Sequence, residues 1–186
     1  MRIGALVLGA GAGRRFEGGV KQLAQVDGRP LLEHALRAVQ VLSPRVVVLG
    51  HAAEQVLAGV DLHGARSVRC EDWEEGQAAS LRFGILALGD VDAAVIALGD
   101  MPGVTPAAVD AVVGAWDGEA DAVRASYGGR RGHPVLLSRT LLDRAGELHG
   151  DEGFRCLLER ARVREVECGH LADPGDIDTR EELARR

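Results

Sequence analysis

Short, nearly unbroken apolar runs alternate along the chain with segments whose apolar residues recur three and four positions apart. The runs at residues 3–8, Arg45–Leu49 and Ala93–Leu98 predict buried strands, and residues 67–70 predict a weaker one. Helical spacing puts Leu32, Leu36 and Val39 on one face of residues 30–39, with Pro30 at a first-turn position. Residues 52–59 predict a short helix, and Leu81, Ile85 and Leu88 mark a longer one over Gln77–Leu88, behind Gly76. Thr105 caps and Pro106 opens the next, whose buried stripe is Val109, Val112 and Val113. Residues 120–126 and 134–137 predict strands around a Gly128-Gly129-Arg130-Arg131-Gly132 turn, a close pairing that points to an antiparallel element. Helices over 138–148 and 153–162, a strand over 163–168 and a helix from Thr179 complete the pattern.

Such alternation, with strands apolar on both faces, implies an α/β fold of three α/β/α layers. Its sheet is expected to be mostly parallel and Rossmann-like, with a small antiparallel element. Ligands bind sheets of this kind beyond the carboxyl ends of the strands. The glycine-rich stretch after residue 8, Gly99-Asp100 and the segment after Cys168 all follow strand ends, and are expected along one edge.

Composition narrows the function. At 186 residues the chain has the length of one domain. A net charge of −6 argues against nonspecific nucleic-acid or membrane-surface binding, which requires a basic face. Cys70, Cys156 and Cys168 are odd in number, far apart and free of any C-x-x-C spacing, which favours reduced thiols over a disulfide framework or zinc site. No apolar run approaches the roughly 20 residues that span a bilayer, and no signal-peptide layout opens the sequence. The expectation is a soluble, cytoplasmic protein.

An acidic protein that binds an anion must gather its positive charge locally, and one stretch does so. Leu8-Gly9-Ala10-Gly11-Ala12-Gly13-Arg14-Arg15-Phe16, with Lys21 beyond, leaves the first strand as a glycine-rich turn. Glycine allows backbone N–H groups to come close to phosphate oxygens, and the cations add net charge. The stretch is therefore read as a triphosphate-holding loop, with an ordinary strand-to-helix turn as the plain alternative. The dinucleotide fingerprint G-x-G-x-x-G fails here, because its third small position falls on Arg14 or, one glycine later, on Phe16. The G-x-x-x-x-G-K-[ST] spacing is absent as well.

Asp100 directly follows a buried strand, where a carboxylate can meet the loop. Two roles are open to it: a ligand to the Mg²⁺ that accompanies a nucleoside triphosphate, or a turn or N-cap aspartate before Thr105. Asp173, Asp176 and Asp178 crowd the segment after the last strand, where one of them either completes a metal site or caps the terminal helix. His133, in Gly132-His133-Pro134, is a contact to substrate or phosphate or a shaper of its loop; Ser80 is a contact to base or ribose or a cap.

Taken together, these motifs resemble the MobA-like nucleotidyltransferases, and among them most closely the molybdenum cofactor cytidylyltransferases. The likeness runs through Leu8-Gly9-Ala10-Gly11-x-Gly13-x-Arg15 with Lys21, Gly28-Arg29-Pro30-Leu31-Leu32, Trp73-x-x-Gly76-x-x-x-Ser80-Leu81 and Leu98-x-Asp100-Met101-Pro102. It continues through Arg131-Gly132-His133-Pro134-Val135, Gly150-Asp151-x-Gly153-x-Arg155 and Asp176-Ile177-Asp178-Thr179. The resemblance implies a nucleotide-diphospho-sugar-transferase-like fold and transfer of CMP from CTP to the phosphate of molybdopterin. Guanylyl transfer, or a different phosphorylated acceptor, is the alternative within the class.

By the same resemblance Leu8, Gly9, Ala10, Gly11 and Gly13 hold the triphosphate, with Arg15 and Lys21 as cationic contacts, and Ser80 reads the base. Asp100 is the Mg²⁺ (or Mn²⁺) ligand, joined by Asp176 or Asp178, and His133, Asp151 and Arg155 face the acceptor. The implied partners are a nucleoside triphosphate and a phosphorylated small molecule, on a monomer or weak homo-oligomer, with no nucleic acid and no membrane. The chain departs from the family pattern at Gly9, where alanine is usual, at Glu17, where glycine is common, and at Cys70, where asparagine is frequent. From other classes, a dinucleotide-dependent oxidoreductase and a non-catalytic nucleotide-binding regulator remain as rivals.

Overall fold

A computed structural model describes residues 1–186. In chain order its elements are β1 (Ile3–Gly9), β2 (Gln25–Val26), β3 (Arg29–Pro30), α1 (Leu31–Ala38), β4 (Arg45–Leu49), α2 (Ala53–Gly59), β5 (Arg66–Arg69), α3 (Gln77–Leu88) and β6 (Ala93–Leu98). There follow α4 (Pro106–Gly114), β7 (Ala122–Tyr127), β8 (Arg130–Ser138), α5 (Arg139–Leu142), α6 (Arg155–Leu158), β9 (Val163–Glu167) and α7 (Arg180–Ala184).

Seven strands form one sheet in the order β5-β4-β1-β6-β8-β7-β9, in which β8 alone runs against the rest. Strand periodicity divides the core between its two faces. Ala5 and Val7 of β1, Val47 and Leu49 of β4, and Val95 and Ala97 of β6 pack with α1, α2 and α4. Leu6 and Leu8, Val46 and Val48, and Ala94 and Ile96 pack on the other face with α3, α5 and α6. Central strands buried on both sides are why these runs carry no polar alternation. The three-layer, mostly parallel architecture with an antiparallel element is the one the sequence predicts.

Several boundaries differ from the expectation. Pro30 is extended (φ −55°, ψ 138°) and belongs to a β2–β3 hairpin, so the helix starts at Leu31 and not with Pro30 in its first turn. Asp27-Gly28, both at positive φ, forms the two-residue turn of that hairpin, a turn type that favours this dipeptide. The helix expected over 138–148 is one turn, α5, continued as a 3₁₀ segment over Asp143–Glu147. The helix expected over 153–162 contracts to α6. Glycines at 146, 150 and 153 disfavour longer helices there, and the last two adopt positive φ.

The topology delivers functional segments to one rim. Parallel β1, β4 and β6 end there with Gly9, Gly50 and Gly99, while β8, running the other way, begins there with Arg131-Gly132-His133. Helix α3 lies close on the sheet because residue 84 is glycine: a Cβ there would stand 2.3 Å from Leu6 Cδ1 and 2.8 Å from Val48 Cγ2. Gly84→Val is therefore expected to cost about 1–3 kcal/mol by overpacking, despite removing a helical glycine, and denaturant unfolding measures it.

Candidate active site

The glycine-rich loop is shaped from within by its own chain. Gly13 has φ +57°, its carbonyl accepts from Phe16 N at 2.7 Å, and a Cβ on it would stand 2.8 Å from Lys21 Cβ. Lys21 can therefore fold back under the loop from the 3₁₀ turn Lys21–Leu23. Gln22, next to it and buried, donates from Nε2 to the carbonyls of Gly9 (2.8 Å) and Gly11 (2.7 Å). Those bonds occupy the carbonyls on the loop's inner side. Nothing in the sequence pattern distinguishes Gln22 from a surface glutamine.

Lys21 is only 7% exposed. Its Nζ donates to Asp100 Oδ2 at 2.8 Å and to Asp178 Oδ1 at 2.7 Å. Burial works against the charged ammonium, but the two carboxylates outweigh it and raise the pKa above the ordinary 10.5. Asp178 also holds the Arg15 guanidinium. Three distant parts of the sequence, the loop, the end of β6 and the C-terminal segment, thus meet at one ammonium group.

The aspartates that the sequence leaves open now separate. Asp100 is not a helix cap, since Thr105 Oγ1 accepts from Ala108 N and caps α4. Neither Asp176 nor Asp178 caps α7: Thr179 does so in a reciprocal capping box with Glu182. Asp173 binds Arg186 at 2.7 Å, and Asp176 is exposed. Asp178 alone of the three reaches Lys21.

The C-terminal segment also braces the loop from outside. Arg180 donates to the carbonyls of Glu17 (2.5 Å) and Gly18 (2.6 Å) and lies over the Phe16 ring at 5.3 Å. Phe16 is itself buried with Val26, Leu31 and Ile177. Glu17 is exposed and forms no ion pair with Arg14, so the carboxylate that departs from the family pattern points to solvent.

Beside this cluster lies a cleft of about 400 Å³, walled by Ala10, Gly11, Arg14, Trp73, Ser80 and Asp100 among others. Arg14, not Arg15, faces it; Arg15 is turned to Asp178. Ser80 is buried in its wall, three residues inside α3, and is not a cap, because Gly76 holds the N-cap position. Trp73 stands against Gly50, where a Cβ would come within 2.6 Å of the indole. Asp151, expected on the acceptor side, lies in this cleft instead, where Oδ1 accepts from Gln77 N at 3.0 Å and closes the start of α3.

A second cavity of about 220 Å³ adjoins the cleft through Leu8 and Gln77, and contains His133, Phe154 and Arg155 with Arg124 and Arg131. His133 is half-buried. Burial lowers its imidazole pKa to about 4, the Asp100 charge opposing and the Arg124 charge reinforcing, so the ring is neutral near pH 7. Arg124, inside β7, is a site residue that strand periodicity alone conceals.

The residues present fit a divalent cation. Asp100 Oδ1 is buried without a hydrogen-bond partner, and Asp178 brings a second carboxylate to the same point. No group of three or more metal-ligating side chains stands together in the structure. Two carboxylates suit a cation that shares its remaining positions with phosphate oxygens and water.

Fold and rim together define a mostly parallel α/β protein with a cationic glycine loop and a lysine–aspartate cluster at the carboxyl ends of its strands. Residues 5–166 match the model of the MobA-like NTP transferase domain, and the chain belongs to that family. It is 34% identical over 193 residues to the bifunctional protein GlmU of Corynebacterium aurimucosum, covering 93% of this chain and 37% of that protein. The chain thus spans little more than a third of the GlmU relatives' length. It is 31% identical over 194 residues to nicotine blue oxidoreductase of Paenarthrobacter nicotinovorans, covering 97% of this chain and 94% of that one. Among solved structures it resembles Rv0371c of Mycobacterium tuberculosis H37Rv, with a TM-score of 0.88, 32% identity and coverage of 99% and 96%. A manganese complex of Rv0371C superposes with a TM-score of 0.83 at 29% identity, covering 100% and 97%.

The depressed His133 pKa couples folding stability to pH. Its folded value lies below the ordinary 6.5, so the unfolded chain binds more protons between the two. The associated stability is complete above about pH 6.5 and declines as pH falls toward 4. Denaturant unfolding from pH 7 to 4 is expected to fall more steeply for the wild type than for His133→Gln, and equal slopes would contradict the assignment.

Proposed function

We propose that the protein is a nucleotidyltransferase that moves CMP from CTP to the phosphate of molybdopterin and releases pyrophosphate. The observation that carries the class is the Lys21 ammonium closed between Asp100 and Asp178 beside a glycine loop. The Leu8-Gly9-Ala10-Gly11 form of that loop favours cytidylyl over guanylyl transfer, and the family membership supports the nucleotidyltransferase class. An oxygen of the acceptor phosphate attacks the α-phosphorus in line. As that P–O bond forms, the bond from the α-phosphorus to the oxygen bridging it to the β-phosphorus breaks, and pyrophosphate leaves with the electron pair.

Phosphate acceptors are ionised at neutral pH, so the neutral imidazole of His133 has no proton to remove and acts by position. Loop amides from Gly9 to Gly13 and the charges of Lys21 and Arg14 hold the phosphates in the attack geometry. Arg15 acts through Asp178, keeping its carboxylate turned to Lys21. Asp100 and Asp178 are the residues that would hold a Mg²⁺ or Mn²⁺ ion, which when bound would supply further neutralisation of phosphate charge.

Removing one preorganised charge contact costs about 3 kcal/mol of transition-state stabilisation. Lys21→Ala and Asp100→Ala are thus each expected to lose a hundredfold or more in pyrophosphate release with CTP and molybdopterin while remaining folded by circular dichroism. Turnover like the wild type in either would remove that residue from the mechanism. Release measured with each of the four nucleotides tests the base. In Mn²⁺ titrations followed by the paramagnetic resonance signal of free ion, Asp178→Asn is expected to weaken binding and Asp176→Asn to leave it unchanged. The reverse order would move the metal site.

One observation favours a second reading. A relative matched over 94% of its length is named as an oxidoreductase, so hydride transfer from a nicotinamide dinucleotide is the competing chemistry on this cradle. Oxidation of NADH or NADPH by the purified protein, with no nucleotide-dependent pyrophosphate release, would decide for it.

A further inference from the structure

Beyond the second cavity the pocket system continues. A hollow of about 630 Å³ shares Arg124, Arg131, Arg155 and Leu158 with it and opens toward the edge strand β9. Strand β7 lies between β8 and β9, and its alternation puts Arg124 on the same face as Ala122, the side of α3, α5 and α6. Arg124 and Glu165 are register partners across β7 and β9. Glu165 Oε1 accepts from Arg124 Nη2 at 2.8 Å and also from Arg131 Nε at 3.0 Å.

An ordinary cross-strand ion pair needs one guanidinium for one carboxylate. Here two guanidinium groups share a single carboxylate oxygen, and the buried Nε of Arg124 has no partner. Arg155 adds a third cation to the lining, held only by a 3.7 Å pair with Glu159 in which both side chains are exposed. Positive charge exceeds negative in the lining, three arginines to two glutamates, within an acidic protein. The arginine is the more buried member: the Arg124 side chain is 14% exposed, whereas Glu165, on the edge strand, is 39% exposed.

The geometry points to an anion subsite at Arg124 and Arg131 that Glu165 occupies when no ligand is bound. Its ligand is an anionic group that the acceptor carries apart from the reacting phosphate, so the acceptor is a small molecule with two separated anionic groups. When that group arrives, Glu165 turns into water and yields both guanidinium groups, which bind oxyanions through paired N–H donors. The cleft, the His133 cavity and this hollow lie in succession and share wall residues, which sets the direction in which such an acceptor would extend. Identifying the ligand as the acceptor rests on the nucleotidyl-transfer reading; the anion subsite does not.

The test uses the full chain, labelled with ¹⁵N, and inorganic phosphate as the probe. The Nε–Hε resonances of Arg124 and Arg131 are expected to shift saturably, and in Glu165→Gln about tenfold tighter, because a competing charged hydrogen bond is gone. Arg131→Gln, at an exposed position, is expected to weaken the response at Arg124 by a similar factor, and keeps the test open should the first variant fold poorly. Amide shifts over Gly9 to Gly13 report phosphate at the nucleotide loop separately. Loop shifts with a silent Arg124, or equal affinity in wild type and Glu165→Gln, would overturn the subsite. A silent loop with a responding Arg124 would keep the subsite and count against nucleotide transfer.

Discussion

Burying an ammonium group costs several kcal/mol unless partners replace its water, and this structure places a lysine at 7% exposure under its glycine loop. Asp100 and Asp178 are those partners: the pairing of β6 with β1 brings the first to the loop, and the Ile177 and Arg180 contacts bring the second. The constraint runs in both directions. Without Lys21 two carboxylates would face each other at the rim, and without either carboxylate a charge would be left inside. The site is therefore held together by the same charges on which the proposed phosphate chemistry rests.

Other features serve that convergence. Glycine at 13 gives Lys21 its space, and Gln22 occupies the loop carbonyls that would otherwise repel an anion. Ile177 N donates to the carbonyl of Asp100 at 2.9 Å, pinning the C-terminal segment to the end of β6 before Asp178 turns inward. The reversed strand β8 matters as much. By running against its neighbours it brings the beginning of a strand, Arg131 to His133, to an edge where every other strand ends.

Much of this was legible in the sequence because it is local. Apolar runs bounded by glycine or aspartate marked β1, β4 and β6, and the Thr105-Pro106 pair marked α4 within one residue. The loop and Asp100 stood out because they follow strand ends, which sheet topology turns into a common rim. What escaped depends on pairing across the chain. Asp176 and Asp178 look alike in sequence, and only the fold of the terminal segment turns Asp178 to Lys21. Sequence likewise does not tell that Arg14 lines the cleft while a distant aspartate holds Arg15. Asp151 sits within a motif shared with Arg155, yet it lines the cleft with Ser80 while Arg155 lines the His133 cavity. Arg124 reads as one polar residue in a strand until Glu165 and Arg131 are seen beside it.

The loop also shows how one sheet topology accommodates different nucleotide chemistries. A dinucleotide fingerprint leads directly into a helix whose dipole meets the pyrophosphate, and its third small residue lets that helix lie close. In this chain Phe16 fills the corresponding place and is anchored to Leu31 and Ile177, so no helix follows. A 3₁₀ turn comes next, and it carries the Lys21 side chain back beneath the loop. A diffuse half-charge at a helix end has been exchanged for a full point charge poised between two carboxylates. A point charge suits a charge-dense phosphate chain better than a diffuse dipole does, and the two carboxylates beside it would hold a divalent cation, which is the balance the proposed nucleotidyl transfer calls for.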